Sequence, residues 1–169
     1  MDVAEFWDFI EESHRLSNGV ISTQISVLLD QLQKLSSNEI LAFEKILKEA
    51  NLEAHKANLW DAAAIIACGC SDDVFDDFCY WLIAQGKNVF ESTIINPDIL
   101  ADKINDREAA LDGRLLAVAQ EAYLLKTGNE MPLVDYSRKK TLIGEFIPDE
   151  DIKNEYPMLY EKFGNCDDD

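Results

Sequence analysis

Apolar residues recur along this chain at helical spacing from one end to the other. Val3, Phe6, Trp7, Ile10 and His14 fall on one face, and Asp2 with Glu5 supplies a capping box at the start. Ser17, Asn18 and Gly19 break that helix. Ile21, Ile25, Leu28, Leu32 and Leu35 then carry a second amphipathic stretch. Ser36 and Glu39 repeat the capping-box signature ahead of Ile40, Phe43, Leu47, Ala50 and Ala54. The short connections read as an antiparallel pack.

Residues 59–67 are almost wholly apolar, with Asp61 the only charge, which predicts a helix buried on all sides. Gly69 is read as its stop and Ser71 as the N-cap of the next helix. Asp72 and Asp73 fall in that helix's first turn, where negative charge complements the dipole. Phe75, Phe78, Cys79 and Leu82 give it one apolar face, and Gly86 ends it. A short helix over 88–95 stops at Asn96 and Pro97, and another runs from Pro97 through Ile104. Leu111, Leu115, Val118, Ala122 and Leu125 define a longer one, closed by Thr127 and Gly128.

The stretch 131–144 is the least regular, with an extended run over 133–136 and a basic cluster at Arg138, Lys139 and Lys140. Two short helices start near Pro148 and Pro157, turning Ile152, Leu159, Tyr160 and Phe163 inward. The expected fold is all-α: a single-domain multi-helix bundle of antiparallel helices around a buried central helix. It covers residues 1–163, followed by a frayed acidic tail over 164–169.

Charge changes the picture most. Thirty-three acids against 15 bases give a net charge of −18. So acidic a surface repels nucleic acid and anionic membranes, and it favours a basic partner. No apolar run approaches the roughly 20 residues of a membrane span, and the first residues lack the pattern of a signal peptide. A cytoplasmic protein is expected, with Cys68, Cys70, Cys79 and Cys166 as reduced thiols.

Asp72, Asp73, Asp76 and Asp77 are the sharpest local feature. Stacking at i, i+4 sets Asp72 over Asp76 and Asp73 over Asp77. Dipole capping accounts for Asp72 and Asp73, whereas Asp76 and Asp77 add repulsion with no local base. Asp73, Asp76 and Asp77 are therefore the candidate partner-binding residues, and Asp61, Ser71 and Asp72 the structural polar anchors. Asp61 has no base one turn away, so its partner must come from elsewhere in the fold. No metal or cofactor is expected: the carboxylates point around a helix, and the spacing of Cys68, Cys70 and Cys79 is not that of a zinc site. Nucleophile elbows, phosphate loops and dinucleotide fingerprints are absent.

Leu59, Trp60, Ala62 and Ala63, the segment Gly69 to Asp73, then Phe75, Phe78, Trp81, Gly86 and Phe90 together resemble a bacterial family known as domain of unknown function 4240. Phe6 and Trp7 resemble its first helix, and Asn96, Pro97, Ala122, Tyr123, Thr127 and Gly128 its later landmarks. Cys68 departs from the pattern, which more often has Gly there. The resemblance implies a helical stand-alone domain and transfers no catalytic residues. Small acidic relatives of this kind often look like immunity proteins encoded beside toxins. The functional expectation is a non-enzymatic immunity or inhibitor protein that binds a basic partner such as a nuclease toxin. The alternatives are a small enzyme around Asp61, Cys70, Asp72 and Asp76, and a regulatory or scaffold domain.

Overall fold

Each capping signature starts a helix. In the computed structural model, which describes residues 1–133 and 141–166, α1 spans Val3–Leu16, α2 Ile21–Leu32 and α3 Ser37–Glu53. At the head of α1 the Glu5 N–H donates to Asp2 Oδ1 (2.9 Å), and the Asp2 N–H donates to Glu5 Oε2 (2.7 Å). Ser36 and Glu39 make the same reciprocal pair at α3, satisfying amides that the helix leaves without partners. The chain continues through α4 (Ala57–Ala67), α5 (Asp72–Ala84) and α6 (Lys87–Ile95). After three short 3-10 segments come α7 (Val118–Thr127), α8 (Ile152–Glu155) and α9 (Pro157–Phe163). The described residues are all-α, with a lone parallel bridge between Lys56 and Ile143. Among the described residues no helix is long and apolar enough to cross a membrane.

α5 is the element most others touch. It packs on α1, α3, α4 and α6 and on the 3-10 segments Ala109–Leu111 and Arg114–Ala117. From Phe78 to Ala84 every residue is buried, so the second half of α5 is encased and only its first half reaches the surface. Its C-terminal carbonyls still need donors. Gln24, fully buried on α2, gives its Nε2–H to the Ala84 carbonyl at 2.8 Å and so pins α2 to the end of α5.

Two expected elements differ. The long helix through Leu111, Leu115, Val118, Ala122 and Leu125 is broken into two 3-10 turns before α7 begins at Val118. Gly113 lies against Asp77 of α5: a methyl at Gly113 would overlap Asp77 Oδ1 and stand 2.8 Å from its Cα. Asp112 Oδ1 accepts the Arg114 N–H (3.1 Å), which fixes the turn, and Leu125 ends up 59% exposed. The stop of α4 also comes one residue early. Cys68 takes the left-handed conformation itself (φ 55°), and the Gly69 N–H closes on the Ala64 carbonyl at 2.9 Å.

The chain after residue 140 is strapped across α4. The Ile143 N–H donates to His55 O and the Ala57 N–H to Ile143 O, both at 2.9 Å. The Ile147 N–H then donates to Asp61 Oδ2 at 3.1 Å. Buried Asp98 receives α9: its Oδ1 accepts the Leu159 N–H (2.8 Å) and its Oδ2 the Met158 N–H (3.2 Å). The expectation of four reduced thiols is corrected here. Cys68 and Cys166 form a disulfide, and only Cys70 and Cys79 remain outside it. The tail expected to fray from residue 164 is thus tied down at Cys166; residues 167–169 lie outside the described residues, as do Arg138, Lys139, Lys140 and most of the 133–136 run.

Candidate functional site

The first half of α5 carries the acidic cluster. Ser71 Oγ accepts the Val74 N–H at 3.3 Å and starts the helix, leaving Asp72 and Asp73 exposed in its first turn. One turn on, Asp76 and Asp77 are half-buried, and neither points simply to solvent. Asp76 Oδ1 faces His55 Nε2 of the α3–α4 connection at 3.4 Å, while His55 Nδ1–H donates to the Asn51 carbonyl at 2.8 Å. Both ring nitrogens therefore face oxygens, one on α5 and one on α3. Phe75 holds that ring edge-on at 5.1 Å.

Asp77 lies against the turn at Gly113, within the field of Asp73, Asp76 and Asp112. Burial pushes its carboxyl above the ordinary range, and the three neighbouring carboxylates push further in the same direction. Asp112 is itself 3.0 Å from the Arg114 guanidinium. The structure thus joins Asp73, Asp76 and Asp77 to Asp112 and His55, two residues that the local sequence pattern missed. The turn signal of Asp112 followed by Gly113 was visible, but its docking on α5 was not.

Below this face, α3 turns Glu44, Lys48 and Asn51 along one line at i, i+4 and i+7, and His55 of the α3–α4 connection follows just past its end. Lys48 Nζ donates to Tyr80 Oη at 3.0 Å and lies 3.8 Å from Glu44 Oε1. Burial raises the Glu44 carboxyl against the opposing pull of Lys48 and Gln120. The seam between α3 and α5 is therefore polar and largely buried, which fixes how the two helices meet.

The remaining candidates separate. Burial and the Asp72 carboxylate push the Cys70 thiol up to about 11, so it stays protonated and poorly nucleophilic at neutral pH. Cys79 is wholly buried, and Cys68 is spent in the disulfide, which removes it from any metal set with Cys70. Asp61 is taken up elsewhere, by Ile147 and near Asp149, whereas Asp76 faces His55. Of the four residues proposed for an enzyme site, Cys70 and Asp72 are thus neighbours, while Asp61 and Asp76 face partners of their own.

A concave feature lies between α4 and the C-terminal strap. It is a cavity of about 400 Å³ lined by Trp60, Asp61, Phe146, Asp149 and Tyr160 among others. Trp60, Ala64 and Ala67 are only partly buried, so α4 is not enclosed on all sides; its Trp60–Ala64 edge opens on this space. Trp60 stands between Phe75 (4.9 Å) and Phe146 (6.3 Å, edge-on). Asp61 is 6% exposed. Burial raises its carboxyl and the Asp149 carboxylate adds to the shift, while the hydrogen bond from the Ile147 amide opposes it.

Residues 1–124 match the family described as "Protein of unknown function (DUF4240)". The chain belongs to that family. No curated protein and no solved structure matches it. The DUF4240 span contains the whole acidic face with His55 and Asp112, and it contains Trp60 and Asp61. Phe146, Asp149, Tyr160 and Cys166 lie beyond its end.

Proposed function

We propose that this protein is a non-enzymatic binding protein, an immunity or inhibitor protein of the cytoplasm that holds a basic protein partner such as a nuclease toxin against the acidic face of α5. One observation carries the reading: Asp77 sits half-buried among the carboxylates of Asp76, Asp112 and Asp73, and burial first, then those three neighbours, raise its proton affinity. Negative charge is concentrated there against its own repulsion, and a cationic partner would relieve it. The overall charge of −18 extends the same field and would steer a basic partner toward the face. Association should therefore be fast at low ionic strength and slow as salt screens it. In a reducing cytoplasm the Cys68–Cys166 pair would be held open, and the face on α5 contains neither cysteine.

The test is affinity capture from the native host at low and high salt, read by mass spectrometry, with Asp73→Lys/Asp77→Lys beside the wild type. The expected result is one basic protein retained by the wild type, released by salt and lost with the double variant. Circular dichroism confirms that the variant is folded. Retention unaffected by the charge reversal would remove α5 from the interface.

A further inference from the structure

We infer that the cavity between α4 and the C-terminal strap is a binding site for a small molecule bearing an organic ammonium group, seated on Trp60, Phe146 and Tyr160 with Asp61 and Asp149 as its counter-charges. The inference does not depend on the acidic face of α5, since none of Asp73, Asp76 and Asp77 lines this space.

The chemistry follows from what lines the walls. Three aromatic side chains from three separate segments border one cavity: Trp60 on α4, Phe146 on the strap and Tyr160 on α9. Aromatic faces attract cations, and alkylated ammonium groups are well suited to such walls because they are only weakly hydrated. The chain already uses this attraction at one of the three rings: Lys153 Nζ stands 5.6 Å from the Tyr160 ring centroid. A second cation rests on an aromatic ring nearby in the chain: the Arg107 guanidinium lies 5.7 Å from the Phe163 ring and 3.1 Å from Cys68 Sγ of the disulfide.

Asp61 supplies the charge. It is nine-tenths buried on α4, and the hydrogen bond it accepts comes from a backbone amide rather than a cation. Asp149 adds a second carboxylate close enough to disturb it. Two carboxylates beside one aromatic cavity repel carboxylate and phosphate ligands and attract a cation. A volume of about 400 Å³ falls within the range of small-molecule sites, and the apolar walls ask for a ligand with an organic body rather than a bare metal ion.

The probe is choline, set against its neutral carbon isostere, with the full chain in its disulfide-intact form. Trp60 is the most exposed of the three tryptophans, so its emission reports on the cavity, and calorimetry gives the affinity directly. Choline is expected to bind saturably in the millimolar range or tighter, and the isostere at least about tenfold more weakly. Phe146→Ala and Asp149→Asn change exposed side chains and are expected to keep the wild-type melting curve. Each should weaken choline about tenfold. Equal binding of choline and isostere would overturn the inference, as would the absence of saturable binding. So would choline binding indifferent to both substitutions, or a site that takes a lysine side chain on a peptide but not choline.

Discussion

At Asp77 partial burial and three neighbouring carboxylates act in one direction, and the consequence can be worked out for stability. A carboxyl whose folded-state pKa is raised favours the folded protein when protonated. That contribution is complete below the ordinary carboxylate range and is lost as pH rises through the raised value. Asp77→Asn removes the penalty, so the variant should be more stable than wild type at neutral pH by about 0.5 kcal/mol, a size typical of like-charge pairs near a surface. The gain should vanish on acidification through the carboxylate range, as read by thermal denaturation across a pH series. Its close neighbour Gly113 predicts the opposite sign. A methyl there meets Asp77 backbone as well as side chain, so rotation of the carboxylate cannot relieve the overlap. Gly113→Ala should cost about 2 kcal/mol, the scale of an overpacked contact, measured by urea unfolding.

The helices show which features a sequence exposes. Capping boxes at Asp2/Glu5 and Ser36/Glu39 and the N-cap at Ser71 join residues three positions apart, so their hydrogen bonds could be read from spacing alone. Ser71→Ala should therefore lower stability by about 1 kcal/mol without changing the fold, as seen in melting followed by circular dichroism. The segment 111–125 resisted the same method because periodicity records which residues are apolar, not what lies against them. Leu115, Val118 and Ala122 are buried as a helical face requires, yet Gly113 must pass close to α5, and that contact breaks the helix. The acidic site divides in the same way. Asp72 and Asp73 are exposed in the first turn as local chemistry suggests, while Asp76 faces a histidine supplied by another connection. Buried Glu44, Asn51 and His55, with half-buried Lys48 between them, were hidden by their own polarity, since polar residues at helical spacing read as a solvated face until α5 and α7 are laid over them.

At the scale of the whole molecule, the C-terminal part is held on the helical body by three unlike devices: the strap at Ile143 and Ile147, the buried carboxylate of Asp98 at the head of α9, and the Cys68–Cys166 disulfide. None is local, and four cysteines in an acidic chain do not specify a pair, which is why spacing and composition pointed to reduced thiols. The bond joins residues 98 positions apart, so the loop it closes includes α5 and most of the core. Chain entropy then assigns it about 3–5 kcal/mol, exerted on the unfolded state. A Cys68→Ser/Cys166→Ser variant should lose an amount of that order in denaturant unfolding, and wild type in reductant should match the variant. Hydrogen exchange separates the local effect from the global one. The Met158 and Leu159 amides are bonded to Asp98, so α9 should keep some protection in the reduced protein, lowered in step with global stability. Protection at those amides falling to the level of an open chain, with the core unchanged, would mean that the disulfide alone docks α9. Asp98 would then be a cap that forms only after the bond has brought the helix into place.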